Sequence, residues 1–434
     1  MNRVAKNAVW IIACKIAQSL ITLVIGMLTA RYLGPSNYGL ITYASSLTAF
    51  VLPIMQLGMT NILVRELVDH PAREGETLGT ALLLNAVSSL FCMLAVSLFA
   101  FAMNPGEPVT VAVCVLYSLT LFFQAFELFG YWYQAKLLSK YYSLISLGAY
   151  FVISAYKVFL LVTRKSVFWF ALTNALDFFV ISLLAYLVYR RLGGQPIRFS
   201  AEHGKQMFDK SKYYIVSSMM VTIFAQTDKI MLKQMLDDAA TGYYGAAVTC
   251  ATISSFVFSA IIDSFRPSIF EVKRSDSALF ERRIEMLYCI IIYLSLAQSL
   301  GMTLLARLVI RILYGAAYAP AASALRIVVW YTTFSYLGAV RNIWILANDQ
   351  QKHLWKINLS GALANVFLNA LLIPVIGVNG AALASLLTQF FTNVVTGFLL
   401  KPIRDNNRLM LLGCNPKFLK EAFFSLIHRK EIST

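Results

Sequence analysis

Residues 78–102 have the sequence LGTALLLNAVSSLFCMLAVSLFAFA and contain no charged side chain. A helix needs roughly 20 mostly apolar residues to cross the hydrocarbon core of a bilayer. Stretches of this kind recur along nearly the whole chain of 434 residues, and no long polar segment remains for a soluble domain. The sequence therefore predicts an all-α integral membrane protein that crosses the bilayer many times.

The composition of the chain also favours a membrane protein. Hydrophobic residues make up 59% of the chain and charged residues 13%, whereas a soluble domain usually has about 45–50% and about 25%. In a soluble protein, a net charge of +16 would suggest a nucleic acid partner. Here the basic residues lie between apolar segments, so we expect them to orient the chain in the membrane and expect no nucleic acid partner.

Apolar stretches separated by mostly short loops predict about 12 transmembrane helices. Their expected ranges are 8–30, 39–63, 78–102, 109–135, 141–163, 167–189, 213–235, 243–265, 284–306, 321–346, 357–375 and 378–400. The first stretch, which follows Arg3 and Lys6, is too long for the apolar part of a cleavable signal peptide. We therefore expect it to remain as the first helix.

Lysine and arginine are distributed unevenly between the two sides of the predicted membrane. If the N-terminus is cytoplasmic, the cytoplasmic segments hold 26 of the 37 basic residues and the outer segments hold 5. Cytoplasmic loops of membrane proteins carry an excess of Lys and Arg. The distribution predicts that the N-terminus and the C-terminus both lie inside, as an even number of helices requires.

The most basic loop, 190–212, divides the predicted helices into six plus six. We expect two six-helix lobes, 1–189 and 213–402, joined by this cytoplasmic linker. A cytoplasmic tail is expected over 403–434. From Asn415 onward, apolar residues recur at helical spacing between basic residues, which predicts an amphipathic helix on the membrane surface.

Both predicted lobes begin inside, so an internal repeat would be parallel, with its axis along the membrane normal. One pair of segments can be aligned on this basis. Gly39, next to Tyr38, corresponds to Gly242, next to Tyr243. In each segment the glycine lies where the next helix opens.

Ionisable side chains inside membrane helices are costly, and they are functional candidates by default. The candidates within the predicted helices are the basic residues Lys15, Lys157, Lys229, Lys233, Arg326 and Arg341 and the acidic residues Glu127, Asp177 and Asp228. One alternative to a functional role is that the charges pair inside the bundle. Lys15 with Asp228 and Lys157 with Asp177 are the expected pairs.

A second alternative applies to Arg326 and Arg341, which lie toward opposite ends of one helix and could extend their charged ends to the interfaces. Six basic groups cannot all pair with three acidic groups. We therefore expect surplus positive charge to face a water-filled cavity, which suits an anionic substrate. All four histidines lie in loops or the tail, so any ion coupling falls to Glu127, Asp177 or Asp228.

Several classes of protein are disfavoured by what the sequence lacks. It contains no Walker motif, Gly-rich phosphate loop or nucleophile elbow, and no C-x-x-C pair. The predicted outer loops do not exceed roughly 15 residues, whereas a glycan polymerase or ligase acting on the outer face needs extended loops for its catalytic groups. We expect a transporter rather than an enzyme, with no cofactor, metal site or disulfide framework.

Four segments, in order along the chain, resemble the signatures of one transporter family. They are ARYLGPSNYG at 30–39, TDKIML at 227–232, LYGAAY at 313–318 and NVFLNALLIPVIGVNGAA at 365–382. These segments are similar to those of Wzx-type polysaccharide flippases, which belong to the multidrug/oligosaccharidyl-lipid/polysaccharide exporter superfamily. The resemblance extends from the first predicted helix to the last.

The resemblance implies a MATE-like fold of two six-helix lobes around a central cavity. It implies an activity in the bacterial cytoplasmic membrane, the flipping of undecaprenyl-pyrophosphate-linked oligosaccharide from the cytoplasmic to the outer leaflet. The product would be O-antigen, capsule or exopolysaccharide, and a polymerase and a chain-length regulator would be the protein partners. The resemblance implies that Arg31, Asp228 and Lys229 occupy family positions, which does not by itself make them substrate ligands. Arg31 is a further basic candidate for the substrate path.

Two other functions remain open from the sequence. A cation-coupled multidrug antiporter of the same superfamily would need acidic cavity groups for cationic drugs, whereas the excess of intramembrane charge here is basic. A membrane glycan polymerase or ligase is the less favoured alternative because the outer loops are short. The expected ligands are a lipid-linked glycan and membrane lipids.

Overall fold

The computed structural model describes residues 3–273 and 275–416, with the side chains of the first helix described at Cys14 and from Ala17 onward. All regular structure in this part of the chain is helical, as predicted. The α-helices are α1 (Arg3–Met55), α2 (Leu63–Asp69), α3 (Glu74–Met103), α4 (Pro108–Gln124), α5 (Phe129–Ala135), α6 (Ser139–Val162), α7 (Val167–Arg191), α8 (Ala201–Met235), α9 (Asp238–Thr252), α10 (Ser255–Lys273), α11 (Ser277–Leu313), α12 (Ala321–Ala347), α13 (Leu354–Ile376), α14 (Val378–Phe390), α15 (Thr396–Leu399) and α16 (Arg404–Leu412).

Within the described residues, nine helical segments are long and apolar enough to cross a membrane, or ten if the bent pair α9 and α10 forms one span. One of them, Ala17–Met55, has 39 residues. At 1.5 Å per residue it would be about 58 Å long, nearly twice the hydrocarbon core of about 30 Å. Helix α12 has 27 residues but is not among the nine. The count of 12 and the inward orientation of both termini stay predictions.

Helix α1 is long because it joins two helical halves at a break. Gly34 has φ 71° and ψ 172°, and glycine is the residue that adopts positive φ without steric cost. Pro35 begins the second half, where its missing N–H costs no hydrogen bond. The predicted helices 8–30 and 39–63 are therefore the two halves of α1, and the second half ends at Met55.

The chain forms two compact units, residues 1–242 and 243–434. In the first unit, one buried cluster lies between α1, α3, α4 and α7, and its members include Tyr43, Leu47, Val96, Val113 and Leu121. In the second unit, the buried cluster includes Phe258, Ile284, Tyr288, Val340 and Ile357. The predicted lobes 1–189 and 213–402 and the linker between them stay a prediction.

Two glycines allow the first turn of α9 to pack closely on the second half of α1 within the first unit. A Cβ at Gly39 would collide with the carbonyl oxygen of Asp238, and a Cβ at Gly242 would collide with that of Pro35. Each glycine thus faces the carbonyl group four residues before the other glycine. These are the two glycines that align in the sequence, and the contact gives both the same packing role.

The first part of the predicted basic linker is fixed against α3. Ser200 donates its N–H to Thr80 Oγ1 at 3.0 Å, and its side-chain oxygen accepts a hydrogen bond from the N–H of His203. A serine in this position satisfies one of the unpaired N–H groups of the first turn. Helix α8 therefore begins at Ala201, well before residue 213, where the sequence predicted it.

The helices of the second unit are interrupted at two places that the sequence did not indicate. Helices α9 and α10 are bent by 42° at their break, inside the predicted helix 243–265. The last predicted helix, 378–400, contains a π-helical turn over Phe391–Val395. A π-turn shifts the hydrogen-bond pattern and frees a carbonyl group for another donor.

The beginning of the predicted tail packs on α11 of the second unit. Tyr288 OH donates a hydrogen bond to Asn406 Oδ1 on α16 at 2.9 Å, and Tyr293 OH donates to the carbonyl oxygen of Cys414 at 2.8 Å. These contacts hold the chain against the unit up to that point. The predicted amphipathic helix falls on residues 417–434, which lie outside the described residues.

The glycine contact predicts a large difference between two Gly→Ala substitutions in helices. Gly39→Ala should lower the melting temperature of the purified protein, because the new Cβ collides with backbone and overpacking costs about 1–3 kcal/mol. Gly148→Ala on α6 is the control, since nothing lies within 4 Å of its Cβ position. It should leave the melting temperature equal or higher, because Ala favours a helix over Gly. Equal melting temperatures for the two variants would contradict the close contact.

Candidate functional site

A group of polar side chains in the first unit lies on helices that qualify as membrane spans, and we call it the Asp177 cluster. It consists of Thr22 from α1, Tyr117 from α4, Tyr150 and Lys157 from α6, and Asn174 and Asp177 from α7. Residues three, four or seven apart share one face of a helix. Tyr150 and Lys157 are seven apart and Asn174 and Asp177 are three apart, so each helix presents both of its polar residues on one side.

Hydrogen bonds hold the uncharged members of the Asp177 cluster. The hydroxyls of Thr22 and Tyr150 are 2.6 Å apart, and Asn174 Nδ2 donates to Tyr117 OH at 2.9 Å. Asp177 is buried, and its Oδ1 has no hydrogen-bond partner among the described residues. A buried carboxylate oxygen without a partner is costly, so this oxygen is a position that favours a proton or a cation.

Lys157 and Asp177 attract each other, as one of the predicted pairs requires. Nevertheless, within the described part of the chain no ion pair of 4.0 Å or less joins them. Lys157 is half-buried on α6. Its ammonium is therefore only partly neutralised, and it can attract a further anion.

Glu127 lies apart from the Asp177 cluster. It belongs to a 3₁₀ segment, Ala125–Leu128, that interrupts the predicted helix 109–135 between α4 and α5. Gln124 Nε2 lies 3.4 Å from Glu127 Oε2, and Tyr131 and Tyr142 are near enough to interact with its charge. The structure thus places Glu127 in a second polar group rather than with Asp177.

Helix α8 carries the predicted candidates Asp228 and Lys229 side by side. Asp228 is buried, with 5% of its surface exposed. Lys229 is half-buried, and its Nζ donates to Gln226 Oε1 at 3.1 Å. An amide oxygen orients the ammonium but leaves its positive charge in place. Lys229 is therefore a second partly neutralised cation in the first unit.

Lys233, one turn farther along α8, is placed differently. Only 7% of its surface is exposed, and its Nζ lies 2.6 Å from Glu107 Oε2 and 2.6 Å from Asp238 Oδ1. Glu107 precedes α4 and Asp238 begins α9, so this lysine connects three segments of the first unit. Two carboxylates neutralise its charge, which removes Lys233 from the surplus of cations.

The surroundings of Lys233 are a hydrogen-bonded polar group. The next residue, Gln234, donates from Nε2 to Tyr43 OH at 2.7 Å, and Asn104 Nδ2 approaches the same hydroxyl at 3.3 Å. The Lys233 ammonium, which donates a hydrogen bond to Glu107, holds the pKa of that carboxyl below its usual range. Lys233 therefore has a structural role where the loops before α4 and α9 meet.

The remaining basic candidates lie in different parts of the chain. Arg341, on α12 of the second unit, is buried and donates from Nη1 to the carbonyl oxygen of Thr392 at 2.6 Å, within the π-turn. Arg326 is exposed on the same helix. Arg31 is exposed just before the break at Gly34. The side chain of Lys15 is outside the described residues, so its predicted pairing with Asp228 stays a prediction.

The sequence did not identify the uncharged members of the Asp177 cluster or the two partners of Lys233. A signal for the former was present, because Tyr150 and Asn174 occur at helical spacing from the charged residues that were singled out. Glu107 lies in the loop before α4 and Asp238 is the first residue of α9, and hydropathy gives no information about contacts between such segments. In the described part of the chain, no three His, Cys, Asp or Glu side chains gather as they would around a metal ion.

Comparison with known families decides the affiliation of the chain. The family model described as polysaccharide biosynthesis protein matches residues 4–273, which is more than half of the chain. The chain belongs to this family. The match covers residues 4–242 of the first unit, including the Asp177 cluster, Glu127 and all of α8. A search of curated proteins found no match.

Solved structures similar to this polysaccharide biosynthesis family member are membrane transporters of one superfamily. The lipid II flippase MurJ, in an inward closed conformation, matches with a TM-score of 0.72 and 14% identity over 98% of this chain and 94% of that chain. An inward-facing multidrug resistance MATE family transporter of the MOP superfamily matches with a TM-score of 0.65 and 14% identity over 91% and 95% of the two chains. At this identity the likeness shows the fold.

These matches support the predicted resemblance to Wzx-type flippases and confirm the predicted MATE-like exporter fold. The polysaccharide biosynthesis family member is therefore a multi-pass membrane protein with the fold of a flippase or transporter. The roles predicted for individual residues are not decided by these comparisons. They stay proposals.

The ion pairs of Lys233 predict that its removal destabilises the protein more than removal of an exposed lysine on the same helix. Lys233→Met should cost about 2–3 kcal/mol, somewhat less than a fully buried pair because Glu107 is half exposed, and should lower the melting temperature clearly. Lys212→Met removes an exposed pair with Asp209 and should change little. Similar losses for both variants would contradict a structural role specific to Lys233.

Acid should weaken the contact between Lys233 and Glu107. A carboxyl whose pKa is lowered in the folded state adds stability above its ordinary pKa of about 4.3, and that stability is lost as the pH falls through the lowered value. Glu107→Gln should therefore have a lower melting temperature than the wild type above about pH 5. The gap should begin to shrink below about pH 4.3 and should close only below the lowered pKa. A gap that does not change with pH would contradict this assignment.

Proposed function

We propose that the protein is a flippase for undecaprenyl-pyrophosphate-linked oligosaccharide repeat units. It would move them from the cytoplasmic to the outer leaflet of a bacterial cytoplasmic membrane for O-antigen, capsule or exopolysaccharide synthesis. Family membership and a flippase-like fold support this reading. A polysaccharide polymerase and a chain-length regulator would act on the product, so they are the proposed protein partners.

The observation that carries the proposal is the state of two lysines in the first unit. Lys157 attracts Asp177 without a direct ion pair, and Lys229 donates to an amide oxygen rather than to a carboxylate. An ammonium group within a membrane-spanning helix is costly unless it is paired or hydrated. Both lysines therefore favour contact with water and with an anionic group that passes through.

A pyrophosphate-linked glycan has the chemistry that these cations would serve. Its head carries negative charge and many hydroxyls, and neither enters hydrocarbon alone. Cations along a hydrated path lower the cost for the head, while the polyprenyl tail stays in lipid. An inside-negative potential assists the outward movement of an anion by about 2.3 kcal/mol per charge per 100 mV, if the charge crosses the full field. Arg31, Lys15, Arg326 and Arg341 stay weaker candidates for this path.

Ion coupling, if present, falls to the buried carboxylates. Asp177 combines burial with an unpartnered oxygen and a nearby lysine, so binding of a proton or a cation there would change the charge that Lys157 presents. This arrangement links a coupling ion to an anionic substrate through one pair of side chains. Glu127 and Asp228 are the other two candidates.

A cation-coupled multidrug antiporter is the second candidate function. The specific observation in its favour is the group of carboxylates at membrane depth, of which Asp177 and Asp228 are buried. A cationic drug would use these acids, whereas an anionic lipid head would use Lys157 and Lys229. A membrane glycan polymerase or ligase remains the third and least favoured alternative.

Deletion of the gene distinguishes these functions. We expect lipid-linked repeat units to accumulate on the cytoplasmic face while the surface glycan disappears, because the head can no longer cross the bilayer. The measurement is glycan labelling on intact cells together with lipid extraction. Normal surface glycan with altered drug tolerance would contradict the flippase proposal and support the antiporter.

Variants of Lys157 and Asp177 distinguish a lysine that attracts the substrate from one that only neutralises Asp177. Lys157→Met should lower glycan export at least tenfold with unchanged protein in the membrane, because the cation that attracts the head is gone. The double variant Lys157→Met, Asp177→Asn should remain impaired. Restored export in the double variant would show that the two residues serve only to neutralise each other.

Two further variants complete this test. Lys229→Ala should impair export in the same way, since it removes the other partly neutralised cation of the first unit. Lys352→Met changes an exposed lysine and is the control, so it should export normally. Full export by both the Lys157 and Lys229 variants would remove the cationic path from the proposal.

A further inference from the structure

The first unit contains an apolar groove of about 600 Å³ between α3, the end of α4 and α7. Its floor is aromatic and half-buried: Phe122 lies 5.5 Å from Phe123 and 5.6 Å from Phe126, measured between ring centroids, with edge-to-face geometry. Its rim includes the exposed side chains of Leu83 and Leu183. The groove contains none of the charged residues assigned to the substrate path.

The groove lies on the exposed surface of helices that qualify as membrane spans. Leu83 and Leu183 are each 45% exposed, and they lie on helices that qualify as membrane spans. An exposed apolar surface of a membrane span contacts lipid chains. A volume of about 600 Å³ is within the range of roughly 300–1,000 Å³ found for small-molecule sites. This size suits one acyl chain better than a polyprenyl tail of eleven isoprene units.

One end of the groove is basic. On α7, Tyr186 lines the groove, and Arg190 follows four residues later on the same face. In the coil that closes this end, Ile197 lines the groove and Arg198 is the next residue. Arg190 and Arg198 are both exposed. One guanidinium can donate two parallel hydrogen bonds to the oxygens of a phosphate. Arg190, on the groove face of α7, is therefore a suitable donor at this end, and Arg198 is next in sequence to a lining residue.

We propose that this groove binds an anionic phospholipid of the membrane. One acyl chain lies on the aromatic floor, and the phosphate is held by Arg190 and Arg198. The apolar floor explains the affinity for a chain, and the basic end explains the preference for an anionic head. The site is separate from the Asp177 cluster, and the proposal does not depend on the identity of the transported substrate.

The bound lipid would stabilise the first unit near the 3₁₀ segment Ala125–Leu128. Phe126, on the groove floor, and Glu127, in the second polar group, are neighbours in the same 3₁₀ segment. This segment lacks the regular hydrogen bonds of an α-helix, so packing on its apolar side contributes to its stability. Lipid in the groove should therefore raise the melting temperature of the whole protein.

The experiment uses the full chain purified in detergent, with phosphatidylglycerol or phosphatidylcholine added at equal concentration. Melting temperature and bound lipid, the latter by native mass spectrometry, are measured together. We expect phosphatidylglycerol to bind at least tenfold more tightly and to raise the melting temperature more. Equal binding of the two lipids would overturn the proposal.

Variants locate the site. Leu83→Trp places a large side chain in the groove and should abolish the effect of phosphatidylglycerol, whereas Leu98→Trp, at another exposed leucine of α3, should retain it. Leu183→Trp is a second groove variant, in case the first is poorly produced. Retention of the full effect in both groove variants would overturn the proposal.

Two further experiments test the role of the basic end and the identity of the lipid that binds in the groove. Arg190→Gln should weaken binding of phosphatidylglycerol about tenfold without affecting phosphatidylcholine, while Arg307→Gln, at an exposed arginine near the end of α11, should change neither.

Polyprenyl phosphate is added as a competitor. If it displaces phosphatidylglycerol at a lower concentration than phosphatidylglycerol itself requires, the groove belongs to the lipid carrier and the phospholipid proposal is wrong.

Discussion

Backbone hydrogen bonding within hydrocarbon is the constraint on which the rest of this structure depends. No water is available there, so every N–H and C=O must find a partner within the protein, and helices satisfy this requirement locally. A departure from helical structure needs compensation at the same depth. The 3₁₀ segment at Ala125–Leu128 and the π-turn at Phe391–Val395 are such departures within predicted helices, whereas the break at Gly34 falls in a predicted loop.

Three of the charged candidates lie at, beside or in contact with interruptions of helical structure. Glu127 belongs to the 3₁₀ segment, Arg341 donates to a carbonyl of the π-turn, and Arg31 precedes the break in α1. For Arg341 the physical reason is clear, because a guanidinium can satisfy a carbonyl that the π-turn releases. Its burial is therefore explained by structure, whereas no such structural account applies to Lys157.

The basic residues at membrane depth fall into two groups by how they are neutralised. Lys233 has two carboxylate partners at 2.6 Å, and its charge is used to fasten loops. Lys157 and Lys229 retain much of their charge, since the first has no direct ion pair and the second binds an amide. The sequence predicted only a surplus of positive charge within the helices. The structure favours Lys157 and Lys229 as the positions of that surplus, and it makes Lys233 an unfavourable candidate for the substrate path.

The sequence by itself determined the all-α membrane class, because apolar stretches of spanning length depend on composition alone. It also determined which ionisable residues lie within predicted membrane helices. The seven-residue spacing that places Tyr150 and Lys157 on one helix face can likewise be read from it. Only the tertiary structure decided that Lys233 is neutralised by Glu107 and Asp238, and that Asp177 is not fully paired. Hydropathy and helical spacing describe one segment at a time, whereas neutralisation of a charge depends on which segments meet.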